Sequence, residues 1–394
     1  MNCVEKFEEI YRKSPDAVAF CPYRICPIGA HSDHQHGKIT GLAIDKGISF
    51  AYHPKQNGVV ELASLQFDKR AQFHIRSVPE KRQMDWADYL RGATLELSQH
   101  YTLSTGLCGV IEGSLPIGGL SSSAAVTIAF LTALMRVNGI RLTPDEMIAA
   151  ALSAERDYVG VNVGTTDQSC EVYARENRLL YADTRDGSYE LIPTSDAMKP
   201  YSIVIFFSGL ERALAGSGLN MRVDEARAAA YALKGYAGME YGRFCETNLR
   251  EVPRETYEKY KQLLPEPWRR RAEHWYTEQE RVERAAIAWR EGDIEAYGSL
   301  SFESGLSSIR NWETGCPELK TLYEAMTRTE GIYGGRFSGA GFKGCCIALI
   351  DPEYEESVLR EVGDAYLKAY PALRGKYQAI VARSADGWLA MNES

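Results

Sequence analysis

The sequence predicts an α+β protein built from two lobes, and three observations support this fold class. The chain has 394 residues, more than a single hydrophobic core usually accommodates, so two domains are expected. Segments with the two-residue apolar alternation of strands are interleaved with segments of helical periodicity. A mainly helical stretch at 221–305 lies between two strand-rich regions. We therefore expect an N-terminal domain at 1–195 and a C-terminal domain at 196–394.

The N-terminal domain is predicted to begin with a helix and an antiparallel, strand-rich region. In chain order its expected elements are a helix at 5–17, two strands joined by a polar turn within 24–54, strands at 59–65 and 71–78, a helix at 86–101, a strand at 108–116, and helices at 121–139 and 143–160. Gly139 is a natural C-terminal stop for one helix, and Thr143 followed by Pro144 is a natural start for the next.

The C-terminal domain is predicted to open and close with strands. Its expected elements are a strand at 201–209, the helices of 221–305, a strand and glycine-rich turn leading into a buried strand within 334–350, a helix at 354–370, and a strand at 376–384. No internal repeat and no low-complexity linker interrupts this order.

Composition and charge exclude several classes of protein. Hydrophobic residues make up 45% of the chain and charged residues 25%, the balance of a soluble globular protein. The formal net charge of −8 and the absence of a Lys/Arg-rich run argue against a nucleic-acid partner. Acidic residues interrupt the first 20 positions, and no run of about 18 apolar residues occurs, so neither a signal peptide nor a membrane span is expected. We expect a cytoplasmic protein.

The cysteines are expected to be free thiols. There are nine, an odd number, and they lack the paired spacing of zinc ligands; they are Cys3, Cys21, Cys26, Cys108, Cys170, Cys245, Cys316, Cys345 and Cys346. The adjacent pair at 345–346 begins an apolar segment that resembles a buried strand, so we expect these two side chains to serve packing rather than redox chemistry.

The segment EGSLPIGGLSSSAAVTIAF, at 112–130, is the most informative motif. Glycines and serines separate a strand from an apolar helix, so that backbone N–H groups with little side-chain cover converge at a helix N-terminus. This arrangement binds phosphate. The G-x-x-x-x-G-K-[ST] pattern is absent, which excludes a Walker-type loop. The alternative is an ordinary turn with a serine-rich helix cap.

Two further segments suggest chemistry, although each is a weak signal alone. In VGVNVGTTDQSC, Asp167 follows a small-residue loop twelve positions after Glu155, and two such carboxylates near a phosphate loop suit magnesium and the orientation of a hydroxyl. Otherwise Asp167 forms a turn and Glu155 is solvated. In GGRFSGAGFKGCC, closely spaced glycines let the backbone approach a ligand or another strand.

The segment CPYRICPIGAHSDHQHGK, at 21–38, is predicted to be a turn that concentrates polar groups. It contains an arginine, an aspartate and three histidines. A metal site made of His31, Asp33, His34 and His36 is one interpretation, but alternation along strand and turn would point these side chains to different faces. A ligand-binding turn is the other interpretation.

Taken in order, these segments resemble the GHMP kinases, and most closely their galactokinase branch, over most of the chain. RICPIGAHSDHQHG resembles the sugar-binding signature, WADYLRG a helix beside the nucleotide, LPIGGLSSSAA the phosphate loop, TTDQ the catalytic aspartate motif and GAGFKGC the third motif. The resemblance implies a ribosomal protein S5 domain 2-like N-terminal lobe and a ferredoxin-like C-terminal lobe, with the active site in the cleft between them. It also implies an ATP-dependent sugar 1-kinase that uses Mg²⁺, with ATP and a sugar or uronic acid as its small-molecule partners.

The resemblance also implies a role for each matching residue. Asp167 would orient or deprotonate the anomeric hydroxyl, and Arg24 would pair with it and stabilise developing charge. The implied sugar-binding residues are Ala30, His31, Asp33, Gly164, Leu219 and Gly341. The implied ATP-binding residues are Trp86, Tyr89, Pro116, Gly118, Gly119, Leu120, Ser121, Ser122, Ser123 and Ala124. Ser123 and Glu155 match the magnesium positions.

Two departures from galactokinases concern the C6 end of the sugar. Galactokinases read G-E-H-T-D in the first motif, with the glutamate on the C6 hydroxyl, whereas this chain has Ala30 at that position. Leu219 stands where galactokinases place a tyrosine. A carboxylate repels another carboxylate, so loss of the glutamate suits a sugar whose C6 is an acid. The pattern resembles galacturonokinases, with the form PYRICPxGAHxDHQ, and the expected reaction converts D-galacturonate to its 1-phosphate.

Several points stay open at this level. The cation for a C6 carboxylate could be any of Arg212, Arg222, Arg336, His34 and Lys38. The alternatives are a galactokinase with a different hydroxyl contact, a non-catalytic sugar sensor, and a GHMP kinase acting on mevalonate or homoserine. The intact Ser123, Ala124 and Asp167 disfavour the sensor, and the His31-Ser32-Asp33 signature disfavours the last. The phosphate loop is one residue shorter than in galactokinases, which leaves its path open.

Overall fold

The computed structural model describes residues 1–210 and 217–392. Its helices are α1 Cys3–Tyr11, α2 Asp88–His100, α3 Ser122–Asn138, α4 Pro144–Ser153, α5 Thr166–Tyr173, α6 Ser217–Tyr236, α7 Arg254–Tyr260, α8 Glu266–Glu291, α9 Ile294–Ser307, α10 Pro317–Met326, α11 Glu355–Ala369 and α12 Trp388–Asn392. Its strands are β1 Ala17–Ile25, β2 Lys38–Lys55, β3 Val59–Ser64, β4 Ala71–His74, β5 Gly106–Gly113, β6 Arg178–Asp183, β7 Tyr189–Pro193, β8 Ser202–Phe207, β9 Ile332–Phe337, β10 Cys345–Ile350, β11 Gln378–Ala382 and β12 Ser384–Ala385.

The long strand β2 organises the first sheet. Its first residues pair with β6, its central residues with β1 and its last residues with β5, always antiparallel. The path across the sheet is β4-β3-β5-β2-β6-β7, and β3 runs parallel to β5. Helix α3 packs on β1 and β2, and its apolar side chains, such as Ile128 and Phe130, are fully buried. The turn between β1 and β2 therefore projects from the most heavily paired part of the sheet.

The second sheet has the order β11-β8-β10-β9 and is antiparallel throughout. Strand β8 has no polar face because both of its faces are covered. Ile203, Ile205 and Phe207 join the core shared with the first sheet, whereas Val204 and Phe206 face a separate core under α10 and α11. This double burial explains why the segment reads as a continuous apolar run.

The two sheets and their helices form the two-lobed α+β architecture that the sequence predicts. Helices α8 and α9 pack together, α8 reaches β2 and β7 of the first sheet, and α9 packs on β9 of the second. The end of the chain returns to the first sheet, where β12 pairs with β2 and Trp388 Nε1 donates a hydrogen bond to Thr132 Oγ1 of α3. The boundary between 195 and 196 stays a prediction.

Most predicted elements are present, with differences at their ends. The first helix ends at Tyr11 instead of 17, because Arg12 adopts a left-handed conformation. The helix predicted to continue to 160 changes at Ala154 into a π-helical segment that ends at Val159. The predicted boundary signals are confirmed, since Thr143 forms a capping box and Gly139 is a left-handed C-cap.

The cysteine prediction is confirmed as well. All nine thiols are free. Cys345 and Cys346 are fully buried at the start of β10, and burial raises the pKa of Cys345 to about 12. Within 1–210 and 217–392, no helix is both long and apolar enough to cross a membrane.

The close approach of α9 to β9 gives a test of this packing. A Cβ on Gly298 would lie 2.2 Å from the carbonyl oxygen of Tyr333, which is backbone and cannot rotate away. Gly298→Ala should therefore lower the free energy of unfolding by about 1–3 kcal/mol. Gly235→Ala is the matched control, because this helical glycine faces open space and alanine favours helix. The melting temperature should fall for the first variant and not for the second; equal melting temperatures would contradict the proposed close packing.

Candidate active site

A cavity of about 420 Å³ is lined by Arg24, Cys26, Tyr89 and Glu155 and by five further segments. The five segments are the 27–36 turn between β1 and β2, the loop before α3, the loop before α5, the start of α6 and the loop between β9 and β10. These segments come from both lobes and are far apart in the sequence, so the cavity exists only when both lobes are folded. It contains the predicted residues Arg24, Asp167 and Leu219.

Asp167 is held by two partners at the first turn of α5. Its Oδ1 accepts hydrogen bonds from Arg24 Nε at 2.8 Å and Nη2 at 2.6 Å, a bidentate use of one guanidinium. Its Oδ2 accepts a hydrogen bond from Ser121 Oγ at 2.7 Å. Burial disfavours the charge on Arg24, but the pairing with Asp167 outweighs it and raises the pKa of Arg24. The carboxylate is 22% exposed and faces the cavity, so it can still accept a proton from a ligand.

The glycine loop before α3 has a path that excludes the simple capping interpretation. Ser121 occupies the N-cap position in a left-handed conformation and makes no cap hydrogen bond; its hydroxyl serves Asp167 instead. The carbonyl of Gly119 accepts a hydrogen bond from Arg24 Nη1 at 3.0 Å. A Cβ on Gly118 would lie 3.0 Å from the Cα of Gly344, so the two glycine-rich loops meet backbone to backbone. This contact requires glycine on both sides.

Side chains of α8, in the second lobe, hold the 27–36 turn through hydrogen bonds to its backbone. Glu278 Oε1 accepts a hydrogen bond from Gly29 N at 2.7 Å. His274 Nε2 lies 3.0 Å from the carbonyl oxygen of Ala30, and Trp275 Nε1 donates to the carbonyl of Ser32 at 3.3 Å. Because backbone atoms of Gly29, Ala30 and Ser32 are held in place, the side chains of the turn have little freedom in where they point. No local sequence pattern indicated these partners, which lie more than 240 residues away.

Glu278 is a fully buried charge compensated by basic and polar groups. Its Oε2 accepts a hydrogen bond from Arg281 Nε at 2.8 Å, and Ser304 and Arg336 lie against Oε1. Burial by itself would raise the pKa of Glu278, but Arg281 and the neighbouring groups lower it to about 2. Arg336 also donates to Ser308 Oγ at 2.9 Å. Its guanidinium is therefore committed to the second lobe and does not line the cavity.

Aromatic rings form the wall behind the turn. The ring of His31 stacks on Trp312 with centroids 5.2 Å apart, and the ring of His34 stacks on the same indole at 5.1 Å. Burial lowers the pKa of all three nearby imidazoles, to about 4 for His34 and His274 and well below the ordinary value for His31. Across the described chain, no three His, Cys, Asp or Glu side chains are grouped so as to hold a metal ion.

A second cavity of about 820 Å³ adjoins the first at the start of α3. Tyr89, Ser122 and Ser123 line both cavities. Trp86 and Pro116 line the second, and the indole of Trp86 stacks parallel to Phe67 with centroids 6.0 Å apart. A cavity with aromatic side chains in its wall, next to a helix N-terminus, suits a base and its attached phosphates.

The other predicted residues divide between the cavity walls and the layer behind them. Those that line the first cavity are Ala30, His31, Asp33, Glu155, Gly164, Gly118, Gly119 and Ser121. Leu120 and Ala124 are buried behind the loop, and Gly341 lies outside both cavity linings. Arg212 lies outside the described residues. Lys38 pairs with Glu283 and is not among the lining residues.

Sequence reasoning missed three residues near the reacting centre. Phe342 and Lys343 line the first cavity, although only the glycines of their loop were used as a signal. Glu171 lies one helical turn after Asp167 and is fully buried; burial, and then repulsion from Asp167, raise its pKa well above the ordinary range. The i, i+4 spacing from Asp167 was a usable signal for Glu171.

Comparisons with known proteins agree with this architecture. Family models match at 88–175 (GHMP kinases N terminal domain), 285–368 (GHMP kinases C terminal) and 5–54 (galactokinase galactose-binding signature). A galacturonokinase from Arabidopsis thaliana is 37% identical, covering 94% of this chain and 92% of that protein. A galactokinase from Roseiflexus sp. is 31% identical over 97% and 95%. The structure of Lactococcus lactis galactokinase complexed with galactose superposes with a TM-score of 0.88 at 28% identity, covering 98% and 97%. The Methanococcus jannaschii mevalonate kinase shares the fold at a TM-score of 0.66 and 16% identity, covering 95% of this chain and 100% of that one.

The low pKa of Glu278 gives a pH-dependent prediction. Because the folded pKa of about 2 lies below the ordinary value of 4.5, the stabilisation is present above about pH 4.5 and is lost as the pH falls toward 2. Glu278→Gln should therefore be less stable than the parent at pH 7, on the order of 3 kcal/mol, with the difference shrinking below pH 4.5. Melting temperatures of both proteins from pH 7 to pH 3 test this. A difference independent of pH would show that the charge is not responsible.

Proposed function

We propose, on the premise that this chain belongs to the GHMP kinase family and is a sugar 1-kinase of its galactokinase branch, that its sugar substrate is D-galacturonate. ATP is the phosphoryl donor, and the products would be galacturonate 1-phosphate and ADP. The alternative substrate within the same branch is galactose, and the relatives include enzymes named for each sugar.

One observation carries the choice of galacturonate. Ala30 and Leu219, the two positions that differ from galactokinases around C6, line one cavity together with Arg24 and Asp167. They come from different lobes, so their convergence could not be assumed from their separate positions in the chain. The small Ala30 side chain leaves room for a carboxylate and adds no charge to repel it. The 37% identity to a galacturonokinase supports the same choice.

The proposed reaction is a phosphoryl transfer in which Asp167 accepts the proton of the anomeric hydroxyl. The oxygen–phosphorus bond to the sugar forms as the bond from the γ-phosphorus to ADP breaks. Arg24 keeps Asp167 oriented through its bidentate contact, and Ser121 fixes the second carboxylate oxygen. In such a reaction positioning and electrostatics supply most of the catalysis. Lys343 of the cavity wall is a candidate to offset charge on the phosphates.

The nucleotide is proposed to occupy the second cavity, with its phosphates over the start of α3. Trp86, Tyr89 and Pro116 would contact the adenosine, and backbone N–H groups of 118–123 would bind phosphate oxygens. Ser123 and Glu155 both line the first cavity, and a hydroxyl with a carboxylate is a donor set that suits Mg²⁺. We propose that these two residues hold Mg²⁺, which offsets phosphate charge when bound. A cytoplasmic location stays a prediction.

The role of Asp167 predicts a variant that binds but does not react. Asp167→Asn keeps the size of the side chain and loses its ability to take a proton, so turnover should fall by about a hundredfold or more. The affinity for ATP should stay within about twofold, measured by quenching of tryptophan fluorescence. Turnover close to that of the parent enzyme would remove the proposed role; loss of ATP binding would indicate a folding defect instead.

The substrate proposal is tested by comparing galacturonate, galactose and glucuronate at equal concentrations. The parent enzyme should have its highest kcat/KM with galacturonate. Ala30→Glu should lower the kcat/KM for galacturonate by about tenfold or more, because two carboxylates would then face each other, and should affect galactose less. A parent enzyme that prefers galactose would return the chain to the galactokinases. Equal effects of Ala30→Glu on both sugars would mean that C6 lies elsewhere.

A further inference from the structure

We propose that His34, together with Arg227 of α6, binds the C6 carboxylate of the substrate. This inference rests on the proposed function, because galactose carries no such group. It assigns a role to two residues for which the catalytic steps above provide none. His34 is one of the cations that the sequence left open, and Arg227 is not among them.

His34 is placed for this role by the cavity and by its own lack of partners. Its side chain lines the first cavity, in the same turn as Ala30. Its ring lies on the indole of Trp312, which fixes the plane of the imidazole. Both ring nitrogens, Nδ1 and Nε2, are buried, and neither has a hydrogen-bond partner among the described residues. A buried imidazole with two unmatched nitrogens is costly unless a ligand supplies the missing partner.

Arg227 provides a second unmatched donor on the same side of the site. It follows Leu219, which lines the cavity, by eight residues, or about two turns of α6. Its Nε is buried without a partner, and its Nη1 lies 3.7 Å from Asp224, whose side chain is 58% exposed. Because this ion pair is long and Asp224 is exposed to solvent, it uses little of the hydrogen-bonding capacity of the Arg227 guanidinium.

The electrostatic balance at this end of the cavity favours an anion. Burial is the main cause of the low pKa of His34; Asp33 opposes it, and Arg227 and Arg156 lie close enough to add to it. Asp33 already accepts a hydrogen bond from Thr166 N at 3.1 Å, and the remaining carboxylates near the two arginines are Asp157 and Glu155 beside Arg156 and the exposed Asp224 beside Arg227. A ligand carboxylate would supply acceptors for both His34 and Arg227 and would favour protonation of the imidazole.

The other cations considered for this role are engaged elsewhere. Arg336 is fully buried within the second lobe and bonds Ser308. Arg222 pairs with Glu225 at 3.0 Å, and Lys38 pairs with Glu283 at 3.1 Å. None of these three side chains lines the cavity, whereas His34 does. Arg227 lies behind the lining residues, close enough to His34 to act on its pKa.

The test uses the full-length protein and two variants that remove donors without removing bulk. His34→Phe keeps an aromatic ring against Trp312 and deletes both nitrogens, and Arg227→Gln removes a charge on a partly exposed helix. His36→Asn is the matched control, because this exposed histidine lies two residues further along the same turn, in a left-handed conformation that asparagine tolerates. Melting temperatures confirm folding, and kcat and KM are measured for galacturonate and galactose with saturating ATP and Mg²⁺.

We expect each of the two variants to raise the KM for galacturonate at least about tenfold, with a smaller change in kcat. The ratio of kcat/KM for galacturonate to that for galactose should fall by a similar factor, whereas His36→Asn should leave it unchanged. If the parent prefers galacturonate and both variants keep that preference, the assignment of His34 and Arg227 is overturned while the proposed function stands. If the parent prefers galactose, the proposed function fails, and this inference fails with it.

Discussion

The buried carboxylate of Glu278 is the interaction on which the site depends. A charge with no exposed surface is tolerated only when its oxygens are fully matched, and here the matching groups come from both lobes. The backbone N–H of Gly29 is one of them, so the cavity turn is part of the charge compensation. Separating α8 from that turn would leave the buried N–H of Gly29 without its acceptor and would remove one hydrogen bond from the carboxylate. The lobes are therefore coupled through the turn that lines one side of the first cavity.

Next to this turn, the part of the cavity around Asp167 is formed mainly by the first turns of helices and by backbone groups. Asp167 begins α5, the glycine loop precedes α3, and Arg24 crosses between them to contact Asp167 Oδ1 and the carbonyl of Gly119. The Arg24 guanidinium thus holds the Asp167 carboxylate and the glycine loop before α3 in one geometry. Phosphoryl transfer demands this kind of rigidity more than it demands reactive side chains.

The sequence could predict the parts of the fold and site that have local signals. The capping box at Thr143, the stop at Gly139 and the apolar run of β8 each follow from a few neighbouring residues, and all three are present. The motifs around Arg24 and Asp167 were equally local. Glu278 and Trp312 were not, because nothing in an amphipathic, Glu- and Arg-rich helical region distinguishes its buried charged residues, such as Arg271 and Glu278, from the exposed ones. Only the three-dimensional register of α8 against the turn selects Glu278.

Recognition of a uronate has two requirements, and only one of them leaves a local signal in the sequence. Replacing a glutamate by Ala30 removes a repulsion, and that change is visible in a motif. Removal of repulsion alone would make a permissive pocket that accepts the neutral sugar as readily as the acid. Discrimination also requires hydrogen-bond donors that find no full partner when the wrong sugar binds. The free-energy cost of leaving them buried and unpaired then weakens the binding of that sugar. His34 and Arg227 have this property, since His34 Nδ1 and Nε2 and Arg227 Nε have no hydrogen-bond partner in the protein. Galactose offers one hydroxyl to such a pair, whereas a uronate offers two charged oxygens, so selectivity arises from protein donors that only the carboxylate can match in full.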